Sequence, residues 1–402
     1  MHSKINLKRY AVPGLILLMW GGLLWSRAIL SVSMIAFIVY ALAMHGREGF
    51  SEVRKSRWLQ GLVLLFMIPL LSGLWSEDKK EWWAVVQVKL PLLFFPFCVA
   101  AFRGIPEKTW RILWWGLTAM VMVSMAWSLA GYMRMDDADY LKARVMKVAM
   151  YDDHVRYAWL LVICYSIMLY GLVYGFWRNR IMAVTSLAAL AVFIHLLAAK
   201  TGLLGFYVVN LVFAFFVLPK KFTWPVVAGL ALIPLLAWLT MPSFRNRMKF
   251  VVWDFQNYSR GAYTEGLSDA PRVWSWKAAA AVIQEHPVTG VGAGDVIPAV
   301  NGWYAAHAPF LKDYERLVPA NQVLLYGCYA GLAGALLALL ILLLPFTMKD
   351  LRQNALWISF HAVAFLGFMY EIALEMQFGA FLYALFGVML YANARDFFTL
   401  KR

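Results

Sequence analysis

The chain has 402 residues, of which 62% are hydrophobic and 15% charged, and its 19 Trp and 27 Phe set it far from a soluble globular composition. A formal charge of +15 would suit a nucleic-acid binder, yet the basic residues stand in short clusters between apolar runs, where the positive-inside rule accounts for them. Composition therefore excludes a soluble domain and a nucleic-acid partner, and points to an all-α polytopic membrane protein.

From the N-terminus, about twelve apolar runs of roughly 17 to 23 residues can be marked, each long enough to cross a bilayer. They centre near Leu18, Ala36, Phe66, Leu93, Met122, Cys164, Leu190, Val212, Ala231, Ala335, Phe365 and Leu385. Lys4, Lys8 and Arg9 precede the first run as in a signal peptide, but no small-residue cleavage site follows before the second run, so this span is expected to stay. The fourth run carries Lys89, Pro91 and Pro96 and is expected to be broken or partly interfacial; Pro225 and Pro234 predict the same for the ninth. Every second link is basic: Arg47, Arg54, Lys55 and Arg57; Arg103 and Lys108; Arg178 and Arg180; Lys220 and Lys221; Lys349 and Arg352; Arg395, Lys401 and Arg402. The opposite links have mixed charge, including Asp136, Asp137, Asp139, Asp152 and Asp153. Both termini should then be cytoplasmic. The chain divides into spans over 1–240, one large outer loop with short helices over 241–320, and the last spans over 321–402. Cys98, Cys164 and Cys328 all lie in apolar runs without metal-ligand spacing, which supports neither a disulfide nor a zinc site.

The outer loop holds the stretch richest in chemistry, SDAPRVWSWKAAAAVIQEHPVTGVGAGD from Ser268 to Asp295. Ser268 or Asp269 can cap a helix, Pro271 suits its first turn, and Pro287 ends it. Arg272, Trp276, Ala280 and Ile283 then share a stripe. Gly290, Gly292 and Gly294 follow, and such a run lets backbone amides face an anion; beside an arginine it is a candidate diphosphate site, although the same glycines alone would read as a tight turn. Arg272 is either that anion's bidentate partner or a surface arginine lying on Trp276.

Lys200, in the short link after the seventh run, is a snorkelling lysine or a second cation for the same ligand. His154 and Arg156 open the sixth run on the same outer face, with pairing to Asp152 or Asp153 as the alternative to a substrate role. Glu371 and Glu375 stand one turn apart near the outer end of the eleventh run; carboxylates at that depth are costly, which makes them candidates with Lys200 or Arg272 as partners. His195 and His361 read as core histidines, and His286 and His307 as loop residues.

Four segments, KTGLLGF from Lys200, PRVWSWKAAAAVIQEHPVTGVGAGD from Pro271, PANQVLLYGCYAGLAG from Pro319 and EIALEMQFGAFLYALFG from Glu371, resemble the O-antigen ligase family. That resemblance implies a glycosyltransferase of the bacterial inner membrane that uses an undecaprenyl-diphosphate-linked glycan on the periplasmic side and passes it to lipid A core. It needs no nucleotide sugar and no cofactor; related polymerases join repeat units instead. Arg272 matches the family's loop arginine that holds the carrier diphosphate. Lys200 stands where ligases have an arginine, keeping the charge and losing the planar fork. Ligases also have a histidine directly before the asparagine that opens the tenth span; here Ala320 precedes Asn321. With that histidine missing, His307, Glu265, Asp269 and Asp313 are the candidates for general base. The outer loop shows no clustered metal ligands, so metal-independent transfer is expected, with a glycan or lipid transporter as the competing class.

Overall fold

The computed structural model describes residues 7–134, 146–259 and 265–393. Lys4, Asp136, Asp137, Asp139, Arg395, Lys401 and Arg402 lie outside the described residues, as do the side chains of Lys8 and Arg9. Among the described residues every regular element is helical. Seven helices are long and apolar enough to cross a membrane: α2 (Arg27–Lys55), α7 (Glu107–Tyr132), α8 (His154–Val173), α9 (Arg180–Leu197), α10 (Lys200–Val217), α11 (Lys220–Thr240) and α15 (Gln322–Thr347). Shorter apolar helices are α1 (Leu7–Trp25), α3 (Arg57–Ser72), α16 (Ala355–Tyr370) and α17 (Gln377–Asn393). Each apolar run expected from the sequence falls on one of these or on the broken segment of the fourth run. The chain is thus a multi-pass membrane protein.

The fourth run is broken as its composition predicts. Helix α4 (Lys79–Val88) and the continuation Leu90–Phe102, made of α5 (Leu90–Phe94), a 3-10 turn and α6 (Val99–Phe102), meet at 52°. Lys89 sits at the break with Pro91 just inside the next helix, and its buried ammonium is paired with Glu375. The ninth run departs from expectation: α11 runs through Pro225 and Pro234 as one helix. A proline removes one backbone hydrogen bond, and the turns on either side keep theirs, as spanning helices often do.

Helix α8 is the most enclosed span and α11 the least, with Leu232, Leu235, Leu236 and Leu239 exposed where lipid would cover them. The loop over 241–320 is built from α12 (Pro242–Ser259), α13 (Ala270–Glu285) and α14 (Val296–His307). Helix α13 starts with a proline in its first turn and ends at Glu285, before Pro287, as predicted. It buries Ser275, Ala278, Ala279, Val282 and Ile283, leaving Arg272 and Trp276 on the neighbouring face. The loop is locked onto α15 at a break no sequence signal announced. Ala330 and Gly331 leave helical geometry there (φ of Gly331 is +66°), and the freed groups are taken by the loop. Val291 donates to the Cys328 carbonyl at 2.8 Å, and Leu332 donates to that of Pro287 at 2.8 Å. A side chain at Gly331 would strike the Pro287 carbonyl.

Candidate functional site

Three chain segments bring cations to one place. A left-handed residue, Ala198 (φ +49°), reverses the chain between α9 and α10 and sets Lys200 at the first position of α10. Arg156 lies in the first turn of α8, and Arg272 in the first turn of α13. The positive end of a helix dipole disfavours a cation, so all three positions are electrostatically costly without an anion nearby.

In the structure, carboxylates supply that anion. Lys200 Nζ is 2.5 Å from Asp269 Oδ2 and 3.2 Å from Ser268 Oγ. Arg272 donates to Glu371 and to the Ser268 carbonyl, lies 3.9 Å from Asp269 Oδ1, and its guanidinium stacks 4.6 Å from the centre of the Tyr370 ring. The Tyr370 hydroxyl donates to Asp269. Behind them Asp254 of α12, fully buried, accepts from Ser268 N (2.8 Å), Ser268 Oγ (3.0 Å) and Asp269 N (2.9 Å), which fixes the turn that leads into α13. Burial pushes the Asp269 carboxyl up, but hydrogen bonds from Lys200 and Tyr370 and the charges of Lys200 and Arg272 outweigh it and hold it below the usual value. Burial works against the Arg272 charge, and Glu371 above all reverses that.

Two cavities meet at this cluster. A polar one of about 350 Å³ is lined by Arg156, Lys200, Arg247, Arg272, Asp153 and Glu371, among others. An apolar one of about 320 Å³ runs between α8, α10 and α16, along Trp159, Leu204, Val363, Leu366 and Phe368. Arg156, Lys200, Tyr370 and Glu371 line both. Arg156 is buried, 3.5 Å from Asp153, and its Nε has no hydrogen-bond partner among the described residues. A charged head at the cationic junction with an apolar tail in the second cavity is the ligand shape these walls suit.

Other sequence candidates fall elsewhere. The amides of the glycine turn are committed: Val291 to Cys328, Ala293 to Ser72 Oγ at 3.0 Å, and Gly294 to Ser76 Oγ at 3.1 Å, while Asp295 accepts from the amides of Glu77 and Asp78. The turn therefore docks the loop on the α3–α4 turn and on α15, and the Gly290 and Gly294 amides are taken by the His286 carbonyl and Ser76 Oγ. Both His154 ring nitrogens face carbonyls, of Asp152 (2.8 Å) and Met146 (2.7 Å), which pins that link at the cavity rim. Asn321 caps α15 through Val323 N and Leu324 N and ties it to Met369 O, so its polar atoms are spent on structure. Glu265 is half-exposed and held by Tyr314 and Lys312; His307 is exposed and stacked on Trp303 at 4.9 Å; Asp313 is exposed beside Arg316. None of these three lines either cavity. Ala320 is buried, donating to Ser275 Oγ and accepting from Trp276.

Glu371 is paired with Arg272, one of the two partners its depth suggested. Glu375 is not: it pairs with Lys89 and accepts from Gln322 Nε2 at 2.9 Å. The two glutamates are not one turn apart, because α16 ends at Tyr370 and an extended Glu371 leads into a 3-10 turn, Ala373–Glu375. Sequence reading missed Asp254 and Tyr370. Adjacency to Glu371 was the one signal for Tyr370, and Asp254 carried none.

Fold and site together define a multi-pass membrane protein with a cationic junction, at the start of α13, that opens onto an apolar groove. Residues 186–337 match the family model described as O-Antigen ligase, so this part of the chain is similar to that family. The match spans α10, the whole outer loop and the start of α15, and so includes Lys200, Asp269 and Arg272; Arg156 and Glu371 lie outside it. No curated protein matches the chain.

Proposed function

We propose that the protein is a glycosyltransferase that takes a glycan from an undecaprenyl-diphosphate carrier at the periplasmic face of a bacterial inner membrane and passes it to lipid A core. The observation that carries this reading is the convergence of Arg156, Lys200 and Arg272, each in the first turn of a helix, on a cavity continuous with an apolar groove. The diphosphate sits among the three cations and the isoprenoid lies along Trp159, Leu204 and Phe368. Charge neutralisation at the departing phosphate is the main demand on catalysis, because a diphosphate is then a good leaving group. Fixed cations can meet that demand without a divalent metal. Ala320 in place of the ligase histidine favours repeat-unit polymerisation as the second reading. A deletion strain separates the two, since loss of a ligase leaves long polymer on the carrier and loss of a polymerase leaves single repeats.

The direct test is turnover of a carrier-linked glycan by purified protein in lipid nanodiscs with chelator present. Wild type should retain activity, and Arg272→Ala should lose about 100-fold or more, the usual cost of one preorganised charge contact. Arg272→Lys should recover little, since an ammonium cannot span two phosphate oxygens. Normal turnover in the alanine variant removes the diphosphate role.

A further inference from the structure

We propose that Glu371 is the general base that takes the acceptor's proton, and that Arg272 keeps it neutralised until the donor diphosphate arrives. The proposal rests on the donor reading above. Whatever base serves this reaction must face the space beside the phosphate that Arg272 holds. His307, Glu265 and Asp313 are exposed and line neither cavity. Asp269 is near, but it lines the apolar cavity and not the polar one, and the Tyr370 hydroxyl donates to it. Ala320 has no side chain for the work, and its backbone is already bonded.

Glu371 meets the geometric demand. It is the residue at which α16 stops, its amide donating to the Gly367 carbonyl at 2.8 Å and its backbone extended (φ −145°, ψ 157°). Its side chain, 14% exposed, lines the polar and the apolar cavity alike, so it stands where headgroup and isoprenoid chain would join. Its one ion-pair partner among the described residues is Arg272. A diphosphate carries more charge than a carboxylate and offers the guanidinium two oxygens, so it competes for Arg272. A carboxylate that loses its cation accepts a proton more readily. The groups that face it are Arg156 on α8, Lys200 on α10, Arg247 on α12, Asp269 and Arg272 at the start of α13, and Tyr370 beside it. In the donor reading the diphosphate takes Arg156, Lys200 and Arg272, and this withdraws cations from Glu371 as it binds.

The step balances without a further reactant. The acceptor hydroxyl oxygen forms the new bond to the anomeric carbon, the bond from that carbon to the phosphate oxygen breaks with its electron pair leaving on the diphosphate, and the hydroxyl proton passes to Glu371. Glu371 then releases the proton to water as the products leave and Arg272 returns to it. Before the donor binds, the base is occupied, which orders the reaction donor first.

Glu371→Gln in nanodiscs should lower kcat by about 100-fold or more, the usual share of a positioned base. Binding of the carrier-linked donor should stay unchanged or tighten, because the competing carboxylate is gone. A merely structural Glu371 would weaken donor binding together with turnover, and that result, or turnover within a few-fold of wild type, overturns the proposal. In Glu371→Ala, added carboxylates should restore turnover in proportion to their basicity, acetate above formate; equal rescue by both marks a counter-ion and overturns it. Arg272→Ala separates the two readings. If that variant binds and turns over donor normally, the donor reading fails; if it does not while Glu371→Gln stays active, only the base assignment fails.

Discussion

At the scale of residues, the site is a set of charges that neutralise one another. Lys200 and Asp269 form one pair, Arg272 and Glu371 the other, with Tyr370 touching both through its hydroxyl and its ring. The Asp269 pair has a defined pH signature. Its carboxyl is held below its ordinary value of 3.8, so the stability it contributes is fully present above that value and is lost only as pH falls through the lowered one. Melting temperatures of wild type and Asp269→Asn should therefore differ by a constant amount between about pH 5 and 8, and converge only under more acid conditions. A difference that fades already near neutral pH would mean that the ion pair seen here is not kept in solution.

At the scale of elements, the broken fourth span and the end of α16 are joined by a buried polar knot. Lys89 pairs with Glu375 above the rings of Tyr326 and Tyr329, and Gln322 of α15 donates to the same carboxylate while its carbonyl accepts from Leu374 N. This knot holds the 3-10 turn just after Glu371, so it positions that side chain without touching substrate. Removing one partner of a buried pair leaves an uncompensated charge and costs about 3–5 kcal/mol, whereas replacing both is often near neutral. Lys89→Met should lower the melting temperature of the purified protein, and Lys89→Met with Glu375→Gln should recover most of the loss. Equal melting of the single variant and wild type would mean that Glu375 is solvated or protonated without its lysine.

At the scale of the whole molecule, we propose that α12, α13 and α14 lie on the periplasmic side and both termini in the cytoplasm, because the basic links alternate with mixed ones along the chain. Cysteines at exposed Lys277 and at exposed Arg352, in a background lacking the three buried natural ones, should report this with an impermeant thiol reagent in spheroplasts. Position 277 should label and position 352 should not. The reverse pattern would invert the topology and place the cavity on the wrong side for a periplasmic reaction.

The sequence alone determined the membrane class, the position of each apolar helix, the break at Lys89 and the bounds of α13, and it singled out Arg272, Lys200, Arg156 and Glu371, which line one cavity. Each of those follows from local chemistry: run length, proline geometry, capping, or the cost of a charge at membrane depth. It also supplied the family likeness, carried by contiguous motifs. Partner choice was settled only by tertiary structure, because it joins residues far apart in the chain whose spacing no periodicity encodes. Glu371 went to Arg272 and Glu375 to Lys89, although both glutamates looked alike in sequence. The glycine turn, legible as an anion cradle, became a clasp because α15 breaks beside it and offers free carbonyls. Asp254, silent in the sequence, underlies the site because burial against the turn before α13 left those backbone amides in need of an acceptor.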